Sequence, residues 1–144
     1  MLLATMLIPE DAYPNTTFEH GSLQLITEEA WSRRACRQAQ AVGEGQSRRL
    51  KALKMQEISF EGQENQSTTG GATVLERAYT GFAEGTCYEF LLIVASGDTA
   101  EESVKAADTV SIMKSLEKIT ASLKLFPRTK EPTIAASTET SGRL

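Results

Sequence analysis

The stretch Gly81-Phe82-Ala83-Glu84-Gly85-Thr86-Cys87-Tyr88-Glu89-Phe90-Leu91-Leu92-Ile93-Val94-Ala95 decides the fold of this 144-residue chain. It reads as the end of one strand, a two-residue turn at Glu84-Gly85, and a second strand leaving it. With that turn, Ala83 faces Thr86, Phe82 faces Cys87, Tyr79 faces Phe90, Arg77 faces Leu92 and Leu75 faces Val94. One side of the second strand then carries Tyr88, Phe90, Leu92 and Val94, backed by Leu75 and Tyr79. The other carries Cys87, Glu89, Leu91 and Ile93, backed by Phe82 and Ala78. This strand is the most apolar segment of the chain, which puts it at the centre of a sheet. A strand apolar on both sides asks for cover on both sides. The expected fold class is therefore α+β, a β-sheet with helices on its two faces.

Working outward, Ala72 to Phe82 is the strand that enters the hairpin, and Gly70-Gly71 is a turn. Leu50 to Phe60 alternates imperfectly, and a β-bulge near Gln56-Glu57 reconciles its two halves. Glu61 to Gly71 is polar and reads as a loop. Ser22 to Ile26 is a short strand, after which Thr27 reads as the N-cap of a helix through Gln40, with Glu28 and Glu29 in its first turn. Trp31, Ala35 and Gln38 share one side of that helix, and Gly43-Glu44-Gly45 ends it. After Ser96-Gly97-Asp98 a short helical piece runs through Val104 and Ala107. Asp108 opens a better helix, whose Val110, Met113, Leu116, Ile119 and Leu123 form one buried stripe, with Lys114, Glu117 and Lys118 on the wet side. Ser122 to Phe126 is a candidate last strand. The chain thus divides into one domain over 1–126 and a Thr- and Ser-rich tail or linker over 127–144 with almost no large apolar residue.

Composition bounds the function. A net charge of −4 argues against a nucleic-acid binder, and no apolar run approaches the roughly 20 residues that span a bilayer. Met1 to Ile8 is apolar but short, with no basic segment before it and no small-residue cleavage site after it, so it reads as a terminal strand. A signal removed before this numbering stays open. No cofactor motif is present: the glycine pairs lack a Walker lysine or a dinucleotide-binding pattern.

Cys36 and Cys87 have neither metal-ligand spacing nor a redox motif. They form either a disulfide closing a loop of ~50 residues, which stabilises by about 4 kcal/mol in the chain-entropy model, or two small buried hydrophobes. His20 is the one histidine, which excludes a multi-histidine metal site. A nucleophilic pair requires His20 beside Cys36 or Cys87 in space, and Glu89 is a lone carboxylate near Cys87. Between Arg33 and Lys54 lie seven cations, Arg33, Arg34, Arg37, Arg48, Arg49, Lys51 and Lys54, with Glu44 the one acid among them. They are a candidate surface for an anion or an acidic partner.

The strand with Gly85-Thr86-Cys87-Tyr88-Glu89-Phe90, followed by an irregular connection and a helix running into Ile119-Thr120-Ala121-Ser122-Leu123-Lys124-Leu125, resembles the end of PsbP-like domains. The resemblance covers about residues 50–126 and is closest to exported bacterial members. It implies an antiparallel α/β/α sandwich and brings no catalytic residues with it. Three function classes follow: a non-catalytic binding or accessory domain outside the cytoplasm, bound to a protein or small ligand; a hydrolase or redox enzyme using His20 with a cysteine or Glu89; and a cytosolic adaptor using the basic segment 33–54. Composition leaves the oligomeric state open.

Overall fold

A computed structural model describes residues 1–38, 46–98 and 104–125. Its elements are β1 (Leu2–Ile8), a 3-10 turn at Glu10–Ala12, β2 (Phe18–Glu29), α1 (Arg33–Gln38), β3 (Gln46–Met55), β4 (Ile58–Thr69), β5 (Ala72–Ala83), β6 (Thr86–Ser96) and α2 (Thr109–Ser122). The strands form one antiparallel sheet in the order β1-β2-β6-β5-β4-β3.

Turn chemistry sets the β3-to-β6 meander. Gln56-Glu57, Gly70-Gly71 and Glu84-Gly85 all have positive φ at both residues (48° and 70°, 58° and 82°, 49° and 76°), the geometry of a two-residue hairpin. The β5–β6 register is the expected one, from Ala83↔Thr86 through Tyr79↔Phe90 to Leu75↔Val94. The turn at Gln56-Glu57 replaces the expected bulge, and the register shift lies instead between Leu50 and Leu53. Glu61 to Thr69 is not a loop but the body of β4.

The sheet is not covered by helices on both faces, which corrects the expected sandwich. The fold is mostly antiparallel β-sheet, and α2 is the one sizeable helix among the described residues. The physical reason is local. The segment Thr27-Glu28-Glu29, expected as a helix start, continues β2 against Tyr88, Cys87 and Thr86 of β6. What remains of that helix is the six-residue α1, opened by Ser32, whose Oγ accepts from the Ala35 N–H at 3.0 Å. The expected stop at Gly43-Glu44-Gly45 and the tail over 127–144 lie outside the described residues. Val104 to Ala107 is not helical, and Lys105 makes a parallel bridge to Thr16. Leu123 to Leu125 forms no strand.

The core lies between α2 and one side of the sheet. Phe60, Phe90, Leu92, Val94, Met113 and Leu116 are fully buried. The Phe60 and Phe90 rings sit 5.4 Å apart. Gly81 makes room for this pair: a Cβ there stands 2.8 Å from the Phe60 ring. Asp108 caps α2 as expected, accepting from the Ser111 N–H at 3.0 Å. The buried stripe, however, is Ile112, Met113, Leu116 and Thr120, while Val110 (50%), Ile119 (38%) and Leu123 (37%) are exposed. Leu116→Ala is therefore expected to cost about 2–5 kcal/mol in chemical unfolding, and Ile119→Ala less than about 1 kcal/mol. Equal losses would place the stripe where the sequence spacing alone puts it.

Candidate functional site

The two sides of the sheet differ in cover. Alternation along each strand puts Leu23, Leu25, Leu75, Arg77, Tyr79, Phe90 and Leu92 on the α2 side. The other side carries Ser22, Gln24 and Ile26 on β2, Glu89, Leu91 and Ile93 on β6, Glu76, Ala78, Thr80 and Phe82 on β5, and Glu61, Gln63 and Asn65 on β4. β2 lies next to one edge of the sheet and β3 is the opposite edge, and the described start of the connection between them lies on this second side. Among the described residues of that connection, α1 packs on the sheet, against β5.

Three ties seat α1. Cys36 and Cys87 are joined in a disulfide, with their Cα atoms 5.4 Å apart. Arg37 pairs with Glu61 of β4. The Ala30 N–H donates to the Gly85 carbonyl at 3.0 Å, holding the entry to α1 against the hairpin turn. Of the two readings left open for the cysteines, the disulfide is the one present, and both residues are also buried.

The basic segment is divided by this arrangement. Arg33 and Arg37 lie on α1, and Arg49 and Lys54 share its side of the sheet, opposite Gln63 and Ser59. Arg49, Ser47, Glu61 and Gln63 line a shallow depression of about 260 Å³ there. Arg34 and Lys51 are exposed, Lys51 at the β3 irregularity. Arg48 points the other way and pairs with Glu64 at 3.0 Å. Five of the seven cations are thus exposed and without a described acidic partner: Arg33, Arg34, Arg49, Lys51 and Lys54.

Trp31 changes character. Expected on the inner side of a helix, it stands before α1 and is 91% exposed. An indole this bare offers a large amphipathic contact surface to a partner. Ser32 as the N-cap was the sequence signal that could have placed Trp31 outside the helix.

The nucleophile candidates are not brought together. Cys36 and Cys87 spend their sulfurs on each other. His20 is exposed and pairs with Ala95, eight residues along β2 from Glu28, the partner of Cys87, or about 26 Å of strand. Glu89 pairs with Ile26, about 20 Å from His20 on the same count. Among the described residues no group of three or more His, Cys, Asp and Glu is arranged to hold a metal. No helix among them is long and apolar enough to cross a membrane.

Glu89 is half-buried. Desolvation, and then the charges of Glu76 and Glu28, push its carboxyl above the ordinary value of 4.5. On the α2 side sits a denser network that the sequence reading missed, having placed Glu117 in water. The Arg77 guanidinium pairs with Glu64 at 2.6 Å and with Glu117 at 2.6 Å, and the Tyr79 hydroxyl donates to the same Glu117 oxygen at 2.5 Å. Burial and that carboxylate raise the Tyr79 pKa well above its ordinary range. This network is saturated by its own members, so it holds the fold and offers nothing to a ligand.

No protein-family model, curated protein or solved structure matches this chain.

Because the native state holds the Glu89 proton more tightly than the unfolded chain does, the stability this contributes is complete below the ordinary carboxylate pKa and is lost as pH rises through the folded value. Above that value the ionised group is a burden. Glu89→Gln is expected to raise the melting temperature at pH above the folded value, with the gain fading as pH falls toward 4.5 and absent below it. A gain independent of pH would assign the effect to packing.

Proposed function

We propose that this chain is a binding domain that works outside the cytoplasm and docks an acidic segment of a partner protein on the α1 side of its sheet. Trp31 is the anchor, and Arg33, Arg34, Arg49 and Lys54 are the flanking cations. The observation that carries this reading is the exposure of Trp31, close in sequence to Arg33 and Arg34, with cations that have no acidic partner among the described residues. Tryptophan and arginine concentrate binding energy at protein interfaces, and unpaired cations steer an acidic partner to them. The disulfide supports the location, since such bonds persist in oxidising compartments and are rare in the cytosol. Kinship with PsbP-like domains, if it extends to this chain, supports the same location through their exported members.

A cytosolic adaptor using the same cations is the weaker reading, because the Cys36–Cys87 bond weighs against it. An enzyme built on His20 has the geometry of β2 against it.

The chain has a single tryptophan, so its fluorescence reports on this surface directly. Native protein is expected to show the long-wavelength emission of an indole in water. Titration with a poly-glutamate peptide at low salt is expected to shift that emission to the blue, with the midpoint rising as salt is added. Arg33→Glu combined with Arg34→Glu is expected to weaken the response at least tenfold, about 1.4 kcal/mol or more. Emission that ignores the peptide contradicts the reading. A shift produced by phosphatidylglycerol vesicles and not by the peptide replaces the protein partner with an anionic membrane surface.

A further inference from the structure

We propose that a second copy of this chain covers the free edge of β1, the two copies joining their β1 strands antiparallel about a two-fold axis so that one sheet runs through both. The sheet has two edges, β1 and β3, and each presents backbone N–H and C=O groups that no other described strand takes up. Edges of this kind attract further strands, and folded proteins blunt them with charge, proline or irregular pairing.

The β3 edge is blunted. Arg48, Arg49, Lys51 and Lys54 are spread along it, and its register is broken between Leu50 and Leu53. Two β3 edges brought together set cation against cation. The β1 edge is different. From Met1 to Pro9 no side chain is charged. Leu2, Leu3 and Leu7 are 55%, 50% and 62% exposed. The register of β1 also shifts, between Leu2 and Ala4, but from Ala4 to Ile8 the strand pairs with β2 without a break, so that stretch of its outer side is a regular template. Met6 and Ile8 already pack on the core from this strand, which fixes its position.

Charge decides the occupant. An uncharged apolar strand meets its own copy at no electrostatic cost, and a two-fold contact is self-complementary and closes. Pairing β1 with the β3 of another copy would desolvate the β3 cations and would propagate into an open filament. In the two-fold arrangement the axis runs perpendicular to the sheet, so both α1 sides face the same direction. A dimer built this way presents two Trp31 surfaces side by side. The pairing itself stands on the edge chemistry and is independent of what binds Trp31.

Sedimentation equilibrium of the full chain across micromolar concentrations tests this, with Leu7→Lys and Thr5→Lys as separate variants at exposed positions of β1. Wild type is expected to be a monomer–dimer mixture that saturates at the dimer. Each lysine, present twice in the interface, is expected to weaken association at least about tenfold while circular dichroism is unchanged. Should either variant misfold, amide hydrogen exchange of wild type decides: the amides of Ala4–Ile8 are expected to slow as protein concentration rises. A wild type that stays monomeric overturns the proposal. So does a dimer indifferent to both lysines, a mass that grows beyond the dimer, or β1 exchange that is slow yet independent of concentration, as cover by the chain's own residues would make it.

Discussion

The Glu117 carboxylate ties the one sizeable described helix to one side of the sheet. It takes the Tyr79 hydroxyl proton donor and one end of the Arg77 guanidinium, while the other end of Arg77 holds Glu64, which in turn holds Arg48. Burial of Arg77 works against its charge, and the two carboxylates more than offset this. Removing one partner would leave another charge poorly solvated, so the cost of moving α2 is steep and the helix has one seat. Ile112, Met113 and Leu116 then meet Phe90 and Leu92 in the core. The consequence for function is indirect: α2 is committed to one side, and among the described residues the helix on the other side is α1.

Among its described residues, the connection between β2 and β3 offers six helical residues, and a helix so short is not stable on its own. The disulfide compensates. Cys36 and Cys87 are 51 residues apart in sequence, and closing such a loop contributes about 4 kcal/mol in the chain-entropy model. Arg37 on Glu61 and the Ala30 N–H on Gly85 fix its orientation. A rigid platform results, with Trp31 at its entrance. Binding surfaces gain from such preorganisation, because an anchor already held in place loses little conformational entropy on contact.

Much of this was legible in the sequence where local chemistry was unambiguous. Glu84-Gly85 and Gly70-Gly71 supply the positive φ that a two-residue turn needs, and the period of two along Cys87 to Val94 then fixes the β5–β6 register. Asp108 announced the start of α2. Where the sequence reading and the structure differ, local chemistry points the wrong way. Beyond Phe60, strand β4 carries polar residues or glycine on both sides, Glu61, Gln63, Asn65 and Ser67 on one and Gly62, Glu64, Gln66 and Thr68 on the other, so it has no apolar signal and resembles a loop. Glu28 and Glu29 suit a helix start by charge, yet they are the exposed end of a strand paired with Cys87 and Thr86. The two-sided apolarity of β6 was read as a demand for two helical layers, whereas Leu91 and Ile93 are only partly buried. As for the site, the cations were visible as a run, but their division between two sides of the sheet depends on the β3 register shift, which no residue pattern announces.

Helix α2 covers one side of this sheet, and among the described residues the α1 side around Leu91 and Ile93 carries less cover. Hydroxyl-radical footprinting along β6, read residue by residue by mass spectrometry, tests this difference most directly. The account predicts alternation: Leu91 and Ile93 are oxidised, while Leu92 and Val94, fully buried under α2, are protected. Equal protection of all four residues would reveal a second layer over the α1 side and contradict the account.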